Sequence, residues 1–522
     1  MLKMKHIGEL TTLLDVVEAQ ARQCPAQVAV ICGDRQIAVA ELSALGHRIA
    51  RTLRVAGIGK GDRVCYLAKN EWEFIPLSLA CVEIGIALVP VNWRLADGEI
   101  MHILAHSKSR MAFVGEEFAE RLRKLQESLP ELGQVVSIGT GPESLERWAS
   151  PQSDLPIGDR IEPSAVCFQM YTSGTTGLPK GAMITNRNLA AAVPVTARSW
   201  GIKNGSVPMV SSPLFHIAGI AYALAGIWNG GTLVIVKDAT PENLLRAIEE
   251  RCVTSSLMVP AMILMMLNHP DSRNTDLSSL ERIAYGASPI SEDVLRRAIG
   301  LFGCEFVQSY GMTETTGGVV ELPPADHLPD APTGRLRAAG VPLEGVEIKV
   351  VDEEGHDLPE GGVGEVLIRS DQNMLGYWAD EASTRDVLSD EGWFRTGDAG
   401  YVDRGYLHIH DRIKDMIISG GENVYSTEVE NVLMSHPDIA NCAVIGVPDV
   451  KWGETVKAFV VLSPEAFADE VSIINYCADR LAKFKCPTSV EFLKELPFNA
   501  AGKMLKRKLR ADFWPLRDRQ VN

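Results

Sequence analysis

Short apolar runs rich in β-branched residues alternate with longer amphipathic stretches from about residue 27 to residue 311. Strands separated by segments of helical length need crossover connections, so this pattern predicts mostly parallel sheets with helices on both faces. The predicted strands include residues 27–32, 63–68, 86–91, 165–172, 232–236, 255–259, 282–286 and 305–311. We therefore expect a large α/β body.

The pattern changes after residue 320, because four prolines between residues 320 and 335 predict a loop. Beyond this loop, apolar runs at 346–351 and 364–369 flank glycine-containing turn sequences, as is typical of an antiparallel hairpin. We expect a β-rich subdomain over about 335–410. From Ser426 onward, helices and strands alternate over a stretch too short for a doubly wound sheet, which predicts a small α+β terminal domain.

Length and charge narrow the functional classes. At roughly 100–200 residues per domain, the 522 residues hold two to four domains. The chain has 51 Lys and Arg against 67 Asp and Glu, a formal net charge of −16. This charge repels nucleic-acid phosphates, so we expect no nucleic-acid partner.

The cysteines and the apolar segments indicate a cytoplasmic protein. The ten cysteines are scattered without a C-x-x-C pair, so we expect them to be reduced and mostly buried. Residues 1–10 contain no apolar stretch typical of a secretory signal. The apolar runs 217–228 and 258–267 are shorter than the 18 residues of a membrane span. Transient membrane contact is left open.

The segment with the clearest chemistry runs from Thr172 to Gly177 and consists of small residues after an apolar run. The backbone N–H groups and hydroxyls of such a loop can surround phosphate oxygens, and Lys180 can offset their charge. The Walker pattern does not fit, since two residues separate Gly177 from Lys180. A flexible surface loop is the alternative, but the position after a predicted strand favours nucleotide binding.

This segment resembles the signature of the adenylate-forming superfamily, which contains acyl-CoA synthetases, peptide-synthetase adenylation domains and firefly luciferases. Further segments are similar to motifs of that family and follow in the same order: 213–216 (PLFH), 285–289 (YGASP), 310–314 (YGMTE), 393–398 (WFRTGD), 411–415 (DRIKD) and 497–503 (PFNAAGK). The sequence of residues 417–425 looks most like that of bacterial fatty-acyl-CoA synthetases.

The resemblance implies the groups that hold the ATP phosphates. Lys180 and Thr313 would contact phosphate, and Glu314 would hold Mg²⁺, a hard cation suited to carboxylate and phosphate oxygens. The phosphate-loop residues would be Thr172, Ser173, Gly174, Thr175, Thr176 and Gly177.

The resemblance also implies the nucleoside site. Tyr310 would stack on adenine, and Asp398 would accept hydrogen bonds from the ribose hydroxyls with Arg412 beside it. The residues expected to line the base are Gly286, Ala287, Ser288 and Gly311.

Adenylation and thioester formation would use the same bound nucleotide, which implies a movable terminal domain. By resemblance, Lys503 would bridge the substrate carboxylate and the α-phosphate, and the domain would then rotate about Lys414. Gly421 would next leave a channel for the pantetheine thiol. The basic residues after Lys503 are expected to form a solvated face: Lys506, Arg507, Lys508 and Arg510.

Three residues match CoA contacts of some relatives: Trp452, Phe484 and Lys485. The alternative for the two aromatic residues is a place in the core of the small domain, where such side chains are more common.

The acid to be activated is expected to be apolar. Residues 213–219 contain no Asp to pair with an α-ammonium group, which disfavours an amino acid. His216 would position the acyl group. The expected acyl-pocket residues are Phe215, His216, Ile217, Tyr222, Met258, Met312 and Gly317. Medium- or long-chain fatty acids are favoured, with aryl, branched, alicyclic and sterol-derived acids left open.

These expectations describe an AMP-forming acyl-CoA synthetase with Lys503, Glu314 and His216 as catalytic residues. Its substrates would be a carboxylic acid, ATP with Mg²⁺, and CoA. An N-terminal domain is expected over 1–410 and a mobile C-terminal domain over 411–522. Alternatives are an acyl-AMP ligase that loads a carrier protein, a phosphotransferase that releases ADP, and a nucleotide sensor. A homodimer is left open.

Overall fold

The computed structural model describes residues 12–159, 162–172, 179–288, 290, 292–332, 334–420, 422–464, 466–498 and 504–514. The helices are α1 (Leu13–Gln23), α2 (Val39–Val55), α3 (Phe74–Ile84), α4 (Asp97–Ser107), α5 (Ala119–Gln126), α6 (Leu145–Ala149), α7 (Asn186–Ser199), α8 (Ile217–Trp228), α9 (Pro241–Arg251), α10 (Pro260–Leu267), α11 (Glu292–Phe302), α12 (Glu381–Val387), α13 (Ser426–Met434), α14 (Glu470–Ala478) and α15 (Lys506–Arg510).

The strands of the first 300 residues are β1 (Val28–Cys32), β2 (Arg35–Ala38), β3 (Arg63–Leu67), β4 (Ala87–Pro90), β5 (Met111–Gly115), β6 (Val135–Ile138), β7 (Val166–Thr172), β8 (Lys180–Thr185), β9 (Pro208–Val210), β10 (Leu233–Ile235), β11 (Ser255–Met258) and β12 (Arg282–Gly286). The later strands are β13 (Glu305–Met312), β14 (Gly317–Leu322), β15 (Val341–Pro342), β16 (Glu347–Val351), β17 (Gly364–Arg369), β18 (Gly376–Tyr377), β19 (Trp393–Asp403), β20 (Tyr406–Arg412), β21 (Ile417–Ser419), β22 (Glu422–Val424), β23 (Ile439–Asp449), β24 (Gly453–Leu462) and β25 (Ser489–Phe492).

Two large sheets form the α/β body. One has the strand order β15-β14-β13-β12-β11-β9-β10-β1-β2, and the other β18-β8-β7-β4-β3-β5-β6. Inner pairs such as β11–β12 and β3–β4 are parallel, whereas pairs toward the edges, such as β13–β14, β1–β2 and β7–β8, are antiparallel. The predicted α/β class with mostly parallel sheets is confirmed.

Helices cover both faces of each large sheet. On β11, Leu257 joins a core that contains α1, α2, α3 and α8, while the next residue, Met258, joins a second core with α9, α10 and α11. On β3, Val64 joins the first core and Cys65 a third core with α4 and α5. Successive strand residues point to opposite faces, so this alternation requires apolar layers above and below both sheets.

The remaining strands form two smaller sheets. Residues 347–412 contain an antiparallel sheet in the order β16-β17-β19-β20, which confirms the predicted β-rich subdomain and its hairpin. The last sheet contains β21 to β25, and α13 and α14 pack against it through one apolar core. The predicted boundary after residue 410 falls inside β20, which continues to Arg412.

Each of the eight predicted strands is present, with ends that agree within one residue. Two expectations were wrong. The predicted loop begins later, because residues 320–322 belong to β14 and the prolines start only at Pro323. The terminal sheet begins before Ser426, since β21 and β22 precede α13 and pair with each other.

All ten cysteines are free thiols, and most of them are buried. None of the helices in the described part of the chain has both the length and the apolar character that crossing a membrane requires.

Candidate functional site

The phosphate loop joins two antiparallel strands at the edge of the seven-stranded sheet. Thr172 at the end of β7 lies opposite Lys180 at the start of β8, so the loop leaves and re-enters the sheet at neighbouring positions. The predicted ligands Ser173, Gly174, Thr175, Thr176 and Gly177 lie outside the described residues. The hairpin therefore fixes where the loop starts and ends.

Lys180 is held by residues of α12. Its Nζ donates to Ser383 Oγ at 2.5 Å and lies 3.9 Å from Asp380 Oδ2. Asp380 also accepts from the Ser383 N–H as the N-cap of α12. Sequence analysis did not identify Asp380 or Ser383, although a capping aspartate before a short helical stretch was a readable signal.

Glu314 meets two hydroxyl groups near the start of the loop. Thr172 Oγ1 donates to Oε1 at 3.2 Å, and the Tyr377 hydroxyl donates to the same oxygen at 3.0 Å. Burial and the nearby Glu314 charge raise the pKa of Tyr377, so its hydroxyl stays a donor. This cluster of hard oxygen donors fits the ligand preference of Mg²⁺. Tyr377 had no signal in the sequence, because β18 meets β8 only in the fold.

Arg412 and Tyr310 contact the buried carboxylate of Asp398. Asp398 on β19 lies opposite Arg412 on β20, and Arg412 Nε is 2.7 Å from Asp398 Oδ1. The Tyr310 hydroxyl donates to Oδ2 at 2.6 Å. Arg412 also donates to the carbonyl of Thr396 at 3.3 Å. The structure thus brings together three residues that the sequence predicted for one nucleoside site.

The predicted adenine segments are closely packed strand ends. A Cβ on Gly286 would lie 2.1 Å from the Ser309 carbonyl oxygen, and one on Gly311 would lie 1.9 Å from the Gly317 carbonyl oxygen. Only glycine permits this approach of backbones. Ala287 follows with φ +67°, a left-handed conformation that turns the chain away from β12, and Ser288 is half-buried.

His327 lies behind this segment and was not predicted. Its Nε2 is 2.9 Å from the hydroxyl of Tyr285, and its Nδ1 is 3.0 Å from the carbonyl of Pro323. Burial lowers the pKa of His327, so a neutral ring that donates from Nδ1 and accepts at Nε2 satisfies both contacts. Its partner in β12 is distant in sequence, which explains why the chain pattern did not indicate it.

The predicted acyl motif ends at the start of α8. His216 is the N-cap of this helix, and its Nδ1 accepts from the Ala218 N–H at 3.2 Å. Phe215 and His216 are half-buried, and Ile217 is buried. Thr313 begins a short helical turn that carries Glu314, and Gly317 with φ +108° follows it.

Tyr222 and Met258, two of the predicted acyl-pocket residues, are buried in apolar cores. Tyr222 is 1% exposed, and its hydroxyl donates to Ser255 Oγ at 2.8 Å. Met258 is completely buried in the core beneath α9 to α11. Both side chains are enclosed by protein in this arrangement, and their place in the acyl pocket stays a prediction. Met312 is half-buried beside Met374 and Phe394.

The predicted CoA residues lie on the terminal domain. Trp452 and Phe484 are 49% and 40% exposed, so the alternative that they belong to the core is wrong. The Trp452 ring covers Gly420, whose added Cβ would lie 2.8 Å from Cε3. Lys485 Nζ is already paired with Glu428, at 2.7 and 2.8 Å from its two oxygens.

Three predicted positions of the terminal domain have no described side chain. Gly421 and Lys503 lie outside the described residues, as does the side chain of Lys414, whose backbone forms a short turn over Ile413–Asp415. The expectation of a uniformly solvated basic face after Lys503 was wrong. Arg507 and Lys508 are exposed, but the side chains of Lys506 and Arg510 are only 12% and 14% exposed and form ion pairs.

Comparison with known proteins identifies the family of the chain. A family model described as AMP-binding enzyme matches residues 17–378, and one described as AMP-binding enzyme C-terminal domain matches residues 428–503. The chain is 39% identical to the fatty acid–[acyl-carrier-protein] ligase ScoC of Streptomyces coeruleorubidus over 99% of both chains. It is 38% identical to a feruloyl-CoA synthase of an Amycolatopsis species, over 95% of this chain and 97% of that one.

A solved structure has the same architecture. The anthranilate CoA ligase AuaEII in complex with anthranoyl-AMP superposes with a TM-score of 0.88, at 28% identity over 96% of this chain and 97% of that one. The matches extend across the α/β body, the β-rich subdomain and the terminal domain. The chain therefore belongs to the AMP-binding enzyme family and is an acid–thiol ligase.

Proposed function

We propose that this protein is an AMP-forming acyl-CoA synthetase. A carboxylate oxygen of the acid attacks the α-phosphorus of ATP, and the bond to pyrophosphate breaks. The CoA thiol then attacks the acyl carbonyl of the acyl-adenylate, loses its proton to solvent, and releases AMP. The observation that carries this proposal is the polar cluster in which Asp398 is paired with Arg412 and accepts a hydrogen bond from Tyr310.

The proposed nucleotide site has a carboxylate at each end. Asp398 accepts hydrogen bonds from the ribose hydroxyls, while Glu314 would hold the Mg²⁺ that accompanies the triphosphate. A bound Mg²⁺ supplies positive charge that reduces repulsion between the phosphates and the approaching carboxylate. Arg412 orients the Asp398 carboxylate before the substrates arrive, as electrostatic preorganisation requires.

The phosphate loop and Lys503 supply the remaining contacts of adenylation. Thr172 and Lys180 lie opposite each other at the two ends of the hairpin, and the residues between them are assigned to the β- and γ-phosphates. Thr313 contacts phosphate beside Glu314. Lys503 bridges the substrate carboxylate and the α-phosphate, where charge develops in the transition state.

The acid is apolar, and a medium- or long-chain fatty acid is favoured. The segment before α8 contains no acidic residue to pair with an ammonium group, and α8 itself is apolar throughout. The similarity to a fatty acid ligase supports an aliphatic chain. Similarity to feruloyl-CoA synthase and to anthranilate CoA ligase supports an aryl acid as the alternative.

Thioester formation uses the same nucleotide ligands after the terminal domain has turned about Lys414. Gly421 is assigned to the channel for the pantetheine thiol, and Trp452 and Phe484, which are exposed on the same domain, are assigned to CoA. Both half-reactions share the acyl-adenylate, so one conformation activates the acid and the other transfers it.

Loading of a carrier protein is the second candidate. The fatty acid–[acyl-carrier-protein] ligase is similar over 99% of both chains. In addition, Lys485 is engaged by Glu428 rather than presented to the phosphates of CoA. A carrier protein delivers the same pantetheine thiol without the nucleotide part of CoA, so it does not need this lysine.

The deciding experiment is product analysis by mass spectrometry. The protein is incubated with ATP, Mg²⁺ and a panel of fatty, aryl and alicyclic acids, with CoA, with a phosphopantetheinylated carrier protein, or with neither. Acyl-CoA, AMP and pyrophosphate support the proposal and identify the acid. Acyl-adenylate that persists with CoA but is consumed by the carrier protein favours the second candidate. Formation of ADP overturns both.

A further inference from the structure

The loop that carries Lys503 has described residues at both ends. Phe498 and Met504 form an antiparallel bridge, and the Leu505 N–H donates to the carbonyl of Pro497 at 2.8 Å. Helix α15 begins at the next residue, Lys506. Whatever holds α15 therefore holds the base of the lysine loop.

Lys506 connects α15, through Ser426, with Asp411, which lies shortly before the hinge position Lys414. Its Nζ lies 2.8 Å from Glu430 Oε1 and also donates to Ser426 Oγ. Ser426 in turn donates to Asp411 Oδ2 through its hydroxyl and, at 2.8 Å, through its backbone N–H. Asp411 thus caps the first residue of α13 and, through the Ser426 hydroxyl, is linked to Lys506.

Arg510 makes the second connection, one helical turn along α15. Its Nη1 lies 2.6 Å from Asp415 Oδ1, and the side chains of Arg510 and Asp415 are 14% and 15% exposed. Asp411 and Asp415 lie on either side of residues 412–414. These three residues include Arg412, the proposed nucleotide ligand, and Lys414, the proposed hinge. Arg510 therefore pairs directly with the aspartate after the hinge, and Lys506 is linked through Ser426 to the aspartate before it.

Stability alone does not explain two such pairs. The cost of removing buried charges from water offsets most of their attraction, and apolar residues of similar size are often as stable. In some proteins, buried polar pairs instead select one geometry over its alternatives. The exposed Arg507 and Lys508 on the same helix have no such constraint.

We propose that Lys506 and Arg510 are positioning residues for adenylation. They fix the base of the Lys503 loop to the aspartates that flank the hinge, so that the hinge orientation sets the place of the catalytic lysine. The inference rests on the proposed function, in which Lys503 acts in adenylation and the domain turns about Lys414.

The test compares four variants of one helix. Arg510→Met and Lys506→Met remove a buried charge but keep most of the side-chain volume, whereas Arg507→Met and Lys508→Met are the matched exposed controls. Adenylation is measured by ATP–pyrophosphate exchange, and transfer by thioester formation from supplied acyl-adenylate. We expect the buried variants to lose roughly 10²-fold in adenylation, the size of effect that a 1 Å misplacement produces. Transfer and both controls should stay near wild type.

A charge left unpaired can unfold the domain, so the double variant Arg510→Met with Asp415→Asn is included. It removes both charges of the pair and leaves none buried alone. If it folds like wild type and still loses adenylation selectively, the positioning role is supported, and Arg510→Lys should recover part of the rate. Equal losses in both half-reactions, or no loss in either, overturn the inference. A wild-type protein that forms no acyl-adenylate from any acid refutes the proposed function instead.

Discussion

Asp398 and Arg412 face each other on neighbouring strands, with Arg412 Nε 2.7 Å from Asp398 Oδ1. The aspartate is only 4% exposed, and the hydroxyl of Tyr310 donates to its second oxygen. A carboxylate buried to this degree is costly unless it is paired and hydrogen-bonded. The pair therefore presents a charged, oriented acceptor whose geometry exists before any nucleotide binds.

Asp398→Asn should raise KM for ATP by roughly 10- to 100-fold, because hydrogen bonds to a charged acceptor contribute about 1.5–3 kcal/mol. Steady-state kinetics with saturating acid measure this effect. Tyr310→Phe is the control, since it keeps the aromatic ring and the ion pair and removes only one donor. A KM for ATP that is the same in Asp398→Asn and wild type contradicts the ribose role.

Tyr377→Phe should raise the Mg²⁺ concentration needed for half-maximal adenylation by several-fold. The hydroxyl that orients Glu314 Oε1 is lost, while Thr172 still donates to that oxygen. Pyrophosphate exchange at fixed ATP and varied Mg²⁺ gives the midpoint. Tyr406→Phe is the matched control, because it removes a tyrosine–carboxylate hydrogen bond that goes to Asp326 instead. If the two variants have equal Mg²⁺ midpoints, Tyr377 has no part in the magnesium site.

Lys503→Ala should slow adenylation by at least roughly 10²- to 10³-fold, the effect of removing one donor to the transition state. Thioester formation from supplied acyl-adenylate should survive, because the lysine is assigned to the first half-reaction only. Rapid-quench measurement of each half-reaction separates the two. A variant that is equally slow in both steps is incompatible with the assigned role.

Gly421→Leu should have the opposite pattern, with pyrophosphate exchange near wild type and thioester formation abolished. The reason is steric, since a branched side chain would fill the proposed thiol channel. Gly59→Leu, at a loop glycine with open space round its Cβ position and no positive φ, controls for the general effect of replacing glycine by leucine. Loss of adenylation with normal transfer would refute the channel.

The strands of the α/β body could be predicted because their residues are buried on both faces and form continuous apolar runs. The site was predictable only where its residues occur in compact motifs, as with Tyr310, Asp398 and Arg412. Tyr377 and His327 were missed because their partners lie 63 and 42 residues away and meet them only in the fold.

The basic run after Lys503 illustrates a different error. Composition indicated four solvated cations, but helical periodicity divides them. Lys506 and Arg510 are four residues apart and share a side with buried Leu509, whereas Arg507 and Lys508 point to solvent. The spacing of charges along a helix was therefore more informative than their number.

His327 makes the fold sensitive to acid, and the sign of the effect follows from burial. Burial lowers the pKa of His327 in the folded protein. Below about pH 6.5, this residue is therefore protonated more fully in the unfolded chain than in the folded protein. This histidine therefore costs no stability above that pH, and the fold loses stability as the pH falls toward the lower folded-state pKa. His327→Gln, which does not titrate, should lose less stability than wild type between pH 7 and 5 in denaturant unfolding. Parallel pH profiles for the two proteins would show that His327 is not protonated on unfolding.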